Sequence, residues 1–144
     1  MKKFFSIMAI ALAFMAAFSS CTNDDDEETA SNTMLLRGTT YKIVHVQCGV
    51  IDDFVNVDVD TEEDVLHGHG GFPASYIGKT TDLEKDFFLS FNPQSGPSID
   101  PVIKSGTVKV TKSGKIIHVV VDATEDSGQK FTMNFEAEDL GQDF

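Results

Sequence analysis

Apolar and polar positions alternate along most of this chain with a period of two, and no segment carries a long helical stripe. Strict alternation runs from Phe54 to Asp60 and again from Phe131 to Glu136. Because successive side chains of a strand point to opposite faces, each segment has one buried and one solvent-facing side. On the second segment Phe131, Met133 and Phe135 are the predicted inward residues. The pattern predicts an all-β fold.

The last third of the chain gives the most regular succession of elements. Predicted strands cover Thr107–Thr111, Ile116–Ala123 and Phe131–Glu136, with glycine-containing turns between them. Gly128 supplies the positive φ that such turns need. We therefore predict a C-terminal three-strand meander within an antiparallel sandwich or small barrel.

Earlier segments are predicted with less regular patterns. The stretch from Tyr41 to Cys48 is a predicted strand with apolar character on both faces. Val44, Val46 and Cys48 share one face, and Tyr41, Ile43, His45 and Gln47 share the other. Phe87, Leu89 and Phe91 share one face of a further strand. Residues 61–86 are the least regular, with helical turns predicted at 62–66 and 82–85.

The N-terminus has the pattern of an export signal. Two lysines, Lys2 and Lys3, precede an apolar run from Phe4 to Phe18 that only Ser6 interrupts. Signal-peptide cores span about 7–15 apolar residues, whereas a membrane-spanning helix needs roughly 20. The run therefore predicts a cleaved signal rather than a membrane span.

Small residues directly precede a cysteine at the end of this run. The string Phe18-Ser19-Ser20-Cys21 resembles a bacterial lipobox, although leucine is more usual where Phe18 stands. The resemblance implies that the Cys21 thiol receives a diacylglyceryl group and that residues 1–20 are removed. Two or three acyl chains hold a protein stably on a membrane.

Five consecutive acids follow the cysteine, at Asp24, Asp25, Asp26, Glu27 and Glu28. Their mutual repulsion predicts a solvated spacer. The run also resembles the acidic sorting signal of surface-exposed lipoproteins of Bacteroidota, which implies outer-membrane localisation at the cell surface.

The chain accordingly divides into three predicted parts. Residues 1–20 are the signal peptide, residues 21–38 a lipidated, acidic and disordered tether, and residues 39–144 a single β-domain.

The rest of the chain resembles the same group of small, acidic-tethered lipoproteins. Ser105–Val110, Asp122–Gly128 and the final aromatic strand look like the closing meander of such proteins. Ile77–Lys79 followed by Asp82-Leu83 recurs in similar chains. The resemblance implies an all-β surface lipoprotein, and it brings no catalytic residues because the group has no agreed activity.

Charge narrows the range of partners. The formal charge is −12, and removing residues 1–20 takes away two lysines and no acid, which makes it −14. Such a surface repels nucleic acid and anionic headgroups, so we expect no nucleic-acid partner. The membrane is reached through the lipid anchor.

His67-Gly68-His69-Gly70-Gly71 is the most unusual local string. Two histidines at i and i+2 share one face of an extended chain and suit zinc, copper or nickel. A flexible, glycine-rich loop with two solvated histidines is the simpler interpretation. Because no third ligand has a fixed spacing, we predict no cofactor and absent or weak metal binding here.

Other chemical motifs are incomplete. The acidic stretch 58–64 fails as an EF-hand, because Glu63 stands where glycine is needed and His69 stands at the twelfth position. A looser oxygen-ligand site stays open there. Cys48 and His45 lie three apart on a strand and point to opposite faces, so they predict a buried thiol rather than a catalytic pair. His118 is predicted to be a satisfied or edge histidine.

The sequence favours a non-catalytic surface lipoprotein that binds a partner or supports an assembly. A surface protein or a glycan is a candidate partner, although the chain has no Trp and only Phe72–Tyr76 is a loop that could expose aromatic rings. The alternative is a metal-dependent enzyme or an inhibitor that uses His67 and His69.

Overall fold

A computed structural model describes residues 30–83 and 87–144. Its strands are β1 Thr33–Leu36, β2 Thr39–Ile51, β3 Phe54–Thr61, β4 Leu66–Pro73, β5 Lys79–Asp82, β6 Phe88–Pro93, β7 Ile103–Ser113, β8 Ile116–Glu125 and β9 Lys130–Glu138. Three short 3-10 turns cover Glu62–Asp64, Ala74–Tyr76 and Gly141–Asp143. In this part of the chain no helix is long and apolar enough to cross a membrane.

The strands form one antiparallel sheet in the order β5-β7-β8-β9-β1-β2-β3-β4-β6. The sheet curls into a half-barrel, which confirms the all-β antiparallel prediction and replaces the choice between sandwich and barrel. Its two walls meet inside, where the ring of Phe91 on β6 packs edge-on against Phe131 on β9 at 6.0 Å. The predicted meander is confirmed as β7, β8 and β9.

Alternation along each strand places the core on the inner, concave face. On β9 the inward residues Phe131, Met133 and Phe135 are at most 2 % exposed, as predicted. The same regular burial runs along β3 and β8. Leu89 and Phe91 of β6 are buried, and Phe87 packs against the same core, which confirms their shared face.

A β-bulge in β2 changes the predicted facing of that strand. The register against β3 shifts between Ile43 and His45, so the bulged residue Val44 is 52 % exposed while Val46 packs against the core. Val44 was predicted to share a face with Val46 and Cys48, and Ile43 with His45. Both predictions are wrong, because Val44 and His45 are exposed whereas Ile43 is buried. Because both faces of this strand carry apolar residues, the alternation of polar and apolar positions does not show where the bulge inserts its extra residue.

The folded unit begins before the predicted boundary at residue 39. Thr33–Leu36, which composition assigned to the tether, is strand β1 and pairs with both β2 and β9. Met34 and Leu36 are buried between these neighbours. Burial of these two apolar side chains stabilises the short strand in the sheet, although the residues before and after it in sequence are polar.

The irregular region 61–86 contains one confirmed turn. Glu62–Asp64 forms a 3-10 turn, as the sequence predicted for 62–66. Asp82 belongs to β5 rather than to a helical turn, and residues 84–86 lie outside the described part of the chain.

Candidate functional site

The glycine-rich string 67–71 is part of strand β4 and not a flexible loop. Gly68 faces the core, and a Cβ there would lie 2.6 Å from the ring of Phe91 and 2.8 Å from Val59. Glycine is therefore needed because the Phe91 ring occupies the space of a side chain. The prediction of a loop was wrong because glycine was read as a turn residue.

A second glycine of the string is required by equally close packing. A Cβ on Gly71 would collide with the backbone oxygen of Val55 and with the ring of Phe54. The close approach of β3 and β4 thus excludes any side chain here. The two glycines thus allow β4 to pack closely within the sheet. His67 and His69 flank the inward-facing Gly68 and lie on the solvent side.

Four neighbouring strands present their outward polar side chains in two rows, which we call the histidine face. The first row is His45, Asp60, His67 and Asn92, and the second is Gln47, Asp58, His69 and Ser90. Each residue lies directly opposite the next across β2, β3, β4 and β6. All eight side chains are exposed or half-buried.

One carboxylate joins two imidazoles in the first row. His67 Nδ1 lies 2.6 Å from Asp60 Oδ1, and His45 Nδ1 lies 3.2 Å from Asp60 Oδ2. An ionised carboxylate only accepts hydrogen bonds, so both Nδ1 atoms donate. In the neutral imidazoles the lone pair is then on Nε2. The cluster ties β2, β3 and β4 together on the outside of the sheet.

These contacts favour the charged form of Asp60. The hydrogen bond from His67 is the main reason that the pKa of Asp60 lies below its ordinary value; partial burial opposes this and the bond from His45 adds to it. The carboxylate therefore stabilises the fold above its unfolded pKa. That contribution is lost as the pH falls through the lower folded value.

Sequence reasoning singled out His67 and His69, considered His45 only beside Cys48 and Asp60 only within the acidic stretch 58–64, and did not bring the three groups together. A two-residue turn at Asp52-Asp53 joins β2 to β3, and a hairpin of that length places His45 opposite Asp60. The two-residue turn is therefore the sequence feature from which the contact between His45 and Asp60 could have been predicted.

The second row has fewer contacts. Among the described residues, none forms a hydrogen bond or ion pair with the imidazole of His69. Within the same part of the chain, no three His, Cys, Asp or Glu side chains converge as a metal-holding group. The acidic stretch 58–64 is divided, because Asp58 and Asp60 lie on β3 whereas Glu62–Asp64 forms the exposed turn beyond it.

Cys48 and His45 do not form a catalytic pair. Cys48 is fully buried on the inner face, while the His45 side chain is 58 % exposed on the outer face. Burial raises the pKa of the Cys48 thiol to about 12, and the carboxylate of Asp139 adds to that effect. The thiol is a packing group, as predicted. His118 is satisfied, with Nε2 2.9 Å from Asn134 Oδ1.

The aromatic segment 72–76 offers no flat platform to a sugar. Phe72 is 1 % exposed, and the ring of Tyr76 stacks on it at 6.1 Å. Tyr76 also packs against the core. The prediction that this loop could expose rings is therefore wrong for Phe72, which belongs to β4. Tyr76 stays half-buried, because the 3-10 turn folds it back onto Phe72.

The interior has little free space. A small void lies between the two walls of the half-barrel and holds at most about one water molecule. Its lining is Val57, Gly71, Phe72, Phe87, Leu89, Val119, Val121, Met133 and Phe135. These groups offer packing and no chemistry.

A single carboxylate is buried away from the histidine face. Glu125 is 4 % exposed at the end of β8, opposite Ile103 of β7. No described residue donates a hydrogen bond to its Oε1 atom. An unpaired buried oxygen of this kind destabilises a fold.

Cys21 and the five acids Asp24, Asp25, Asp26, Glu27 and Glu28 lie outside the described residues. Comparisons with protein-family models, with curated proteins and with solved structures find no match to this chain. The histidine face is thus identified from its own geometry.

Proposed function

We propose that this chain is a lipid-anchored, non-catalytic binding module at the surface of a bacterial outer membrane, and that the histidine face contacts its partner. The observation that carries the proposal is the contrast between the two sides of one sheet. The inner side is filled by apolar side chains, whereas the outer side of β2, β3, β4 and β6 presents two registered rows of polar groups.

The histidine face has the properties of a recognition surface. It combines imidazoles, amides and carboxylates, which are able to donate and accept hydrogen bonds toward a protein or a glycan. Asp60 holds two of the imidazoles in place, so less side-chain freedom is lost when a partner binds.

Binding is better supported than catalysis. The face lies on the convex side of the curled sheet, and the internal apolar void is lined by none of its eight residues. A reaction that uses His67 as a base would need an adjacent enclosed space from which water is excluded. The side chain of His67 is instead 52 % exposed on the outer side of the sheet.

The binding role is tested with two matched double variants of the full-length protein in its parent cells. One is His69→Ala with Asn92→Ala, which alters the histidine face and leaves the Asp60 cluster intact. The control is Thr107→Ala with Thr111→Ala, exposed outward residues of β7. Partners are crosslinked on intact cells and quantified by mass spectrometry.

We expect the wild type and the control to enrich the same surface component. The histidine-face variant should lose most of that enrichment. An identical set of partners from all three proteins would contradict the proposal.

Surface location is tested separately through the acidic run. Replacing residues 24–28 with serine and glycine is expected to leave lipidation intact and to lower accessibility at the cell surface, because those acids are the sorting feature of the tether. External protease digestion of intact cells measures the exposed fraction. Equal digestion of wild type and variant would show that the run does not direct sorting.

A further inference from the structure

The two histidines of β4 stand side by side on the histidine face. Residues i and i+2 of a strand are about 6.6–6.8 Å apart at Cα and point the same way. The His67 side chain is 52 % exposed, and His69 is exposed as well. Side chains of this length are able to bring two imidazole nitrogens to one ion.

Asp60 prepares His67 as a ligand. It accepts the Nδ1 hydrogen of His67 at 2.6 Å, which leaves the Nε2 lone pair directed away from the carboxylate. A carboxylate behind a histidine fixes the ring, selects the tautomer and makes the other nitrogen more basic toward a metal. The imidazole of His69 has no hydrogen-bond partner in the described part of the chain, so it is free to turn toward the same ion.

We propose that His67 and His69 form an open two-imidazole site for a divalent transition-metal ion, with Asp60 as a positioning residue. This proposal extends the binding role proposed for the histidine face, and it rests on that role because the metal ion would take part in contacting the partner. Imidazole ligands favour Cu²⁺ over Zn²⁺, following the general order of divalent affinities. Ca²⁺ and Mg²⁺ prefer oxygen ligands and are not bound here.

Two protein ligands make the site weak and exchangeable. No third His, Cys, Asp or Glu of the described residues converges on it, so water or a partner's side chain completes the coordination. The sequence predicted absent or weak metal binding at His67 and His69; the proposal takes the weak case and adds the carboxylate of Asp60 behind His67.

The test uses the full-length chain, purified in detergent without a polyhistidine tag and titrated with Cu²⁺ in a weakly coordinating buffer. Calorimetry measures affinity and stoichiometry, and electron paramagnetic resonance counts the coordinated nitrogens. We expect one ion per chain with a Kd in the micromolar range, two imidazole nitrogens in the spectrum, and no competition from an excess of Mg²⁺.

Variants assign the roles of the residues. His67→Gln and His69→Gln should each reduce the spectrum to one imidazole nitrogen and weaken binding at least tenfold. Asp60→Asn should weaken binding about tenfold, the lower end for loss of a supporting carboxylate, while two nitrogens stay coordinated. His118→Gln, which alters the histidine tied to Asn134, should leave the affinity unchanged.

Several results would overturn the site. These are no saturable binding, a spectrum without imidazole nitrogens, competition by Mg²⁺, or an affinity that survives His69→Gln and disappears when residues 24–28 are replaced. Partner capture is measured both with and without a chelator, so loss of the metal site and loss of the partner-binding role give separate readouts.

Discussion

Truncating Phe135 to alanine is expected to lower the free energy of unfolding by about 3–5 kcal/mol, the usual range for an emptied aromatic site. Phe135 is 2 % exposed and faces the core from β9, opposite Val119 of β8. It already borders the small internal void, so its loss enlarges a space that the two stiff walls of the sheet are poorly able to close. Small domains have about 5–15 kcal/mol in total, and thermal or urea unfolding should show a large loss.

Thr132→Ala is the matched control on the same strand. Thr132 points outward and is half-buried, so its truncation should change stability by less than about 1 kcal/mol. Equal melting of the two variants would contradict the placement of Phe135 in the core, because a one-residue slip inverts every facing on a strand.

Cys21→Ala is expected to move the protein from the membrane fraction to the soluble fraction. Anchoring in the proposed role depends on acyl chains, each buried methylene contributing about 0.8 kcal/mol. The measurement is fractionation by ultracentrifugation combined with intact-mass analysis of the mature N-terminus. The wild type should carry the added mass of its acyl groups.

Cys48→Ala controls for the loss of a thiol. Cys48 is fully buried in the sheet, so this variant should stay with the membrane and keep the acyl mass. An unmodified N-terminus in the wild type, or membrane retention of Cys21→Ala, would refute lipidation at Cys21.

Alternation alone was enough to predict the strands whose two faces differ in polarity. In β3, Val55, Val57 and Val59 are buried between polar neighbours, and β9 follows the same rule. The pattern failed at β2, where apolar residues on both faces hide the bulge at Val44. It failed at β1 because four residues in a polar stretch are too few to show a period.

The histidine face illustrates why a site built across strands is hard to predict. His67 was visible from its unusual neighbours, but the contact with Asp60 and His45 depends on the registers of β2, β3 and β4. The glycines of β4 were misread for a related reason. Gly68 is required by the ring of Phe91, a residue distant in sequence that meets it only once β4 and β6 pair.

The central position of β1 has a mechanical consequence for an anchored protein. β1 is the first strand after the proposed tether, and it is hydrogen-bonded on both sides, to β9 and to β2. A pull along β1 from the membrane therefore loads two hydrogen-bonded ladders in shear at the same time. An edge strand would instead be peeled away one bond after another. In the proposed anchored state, a force exerted on a bound partner is therefore distributed over the β1–β9 and β1–β2 ladders, which lead into the two halves of the sheet.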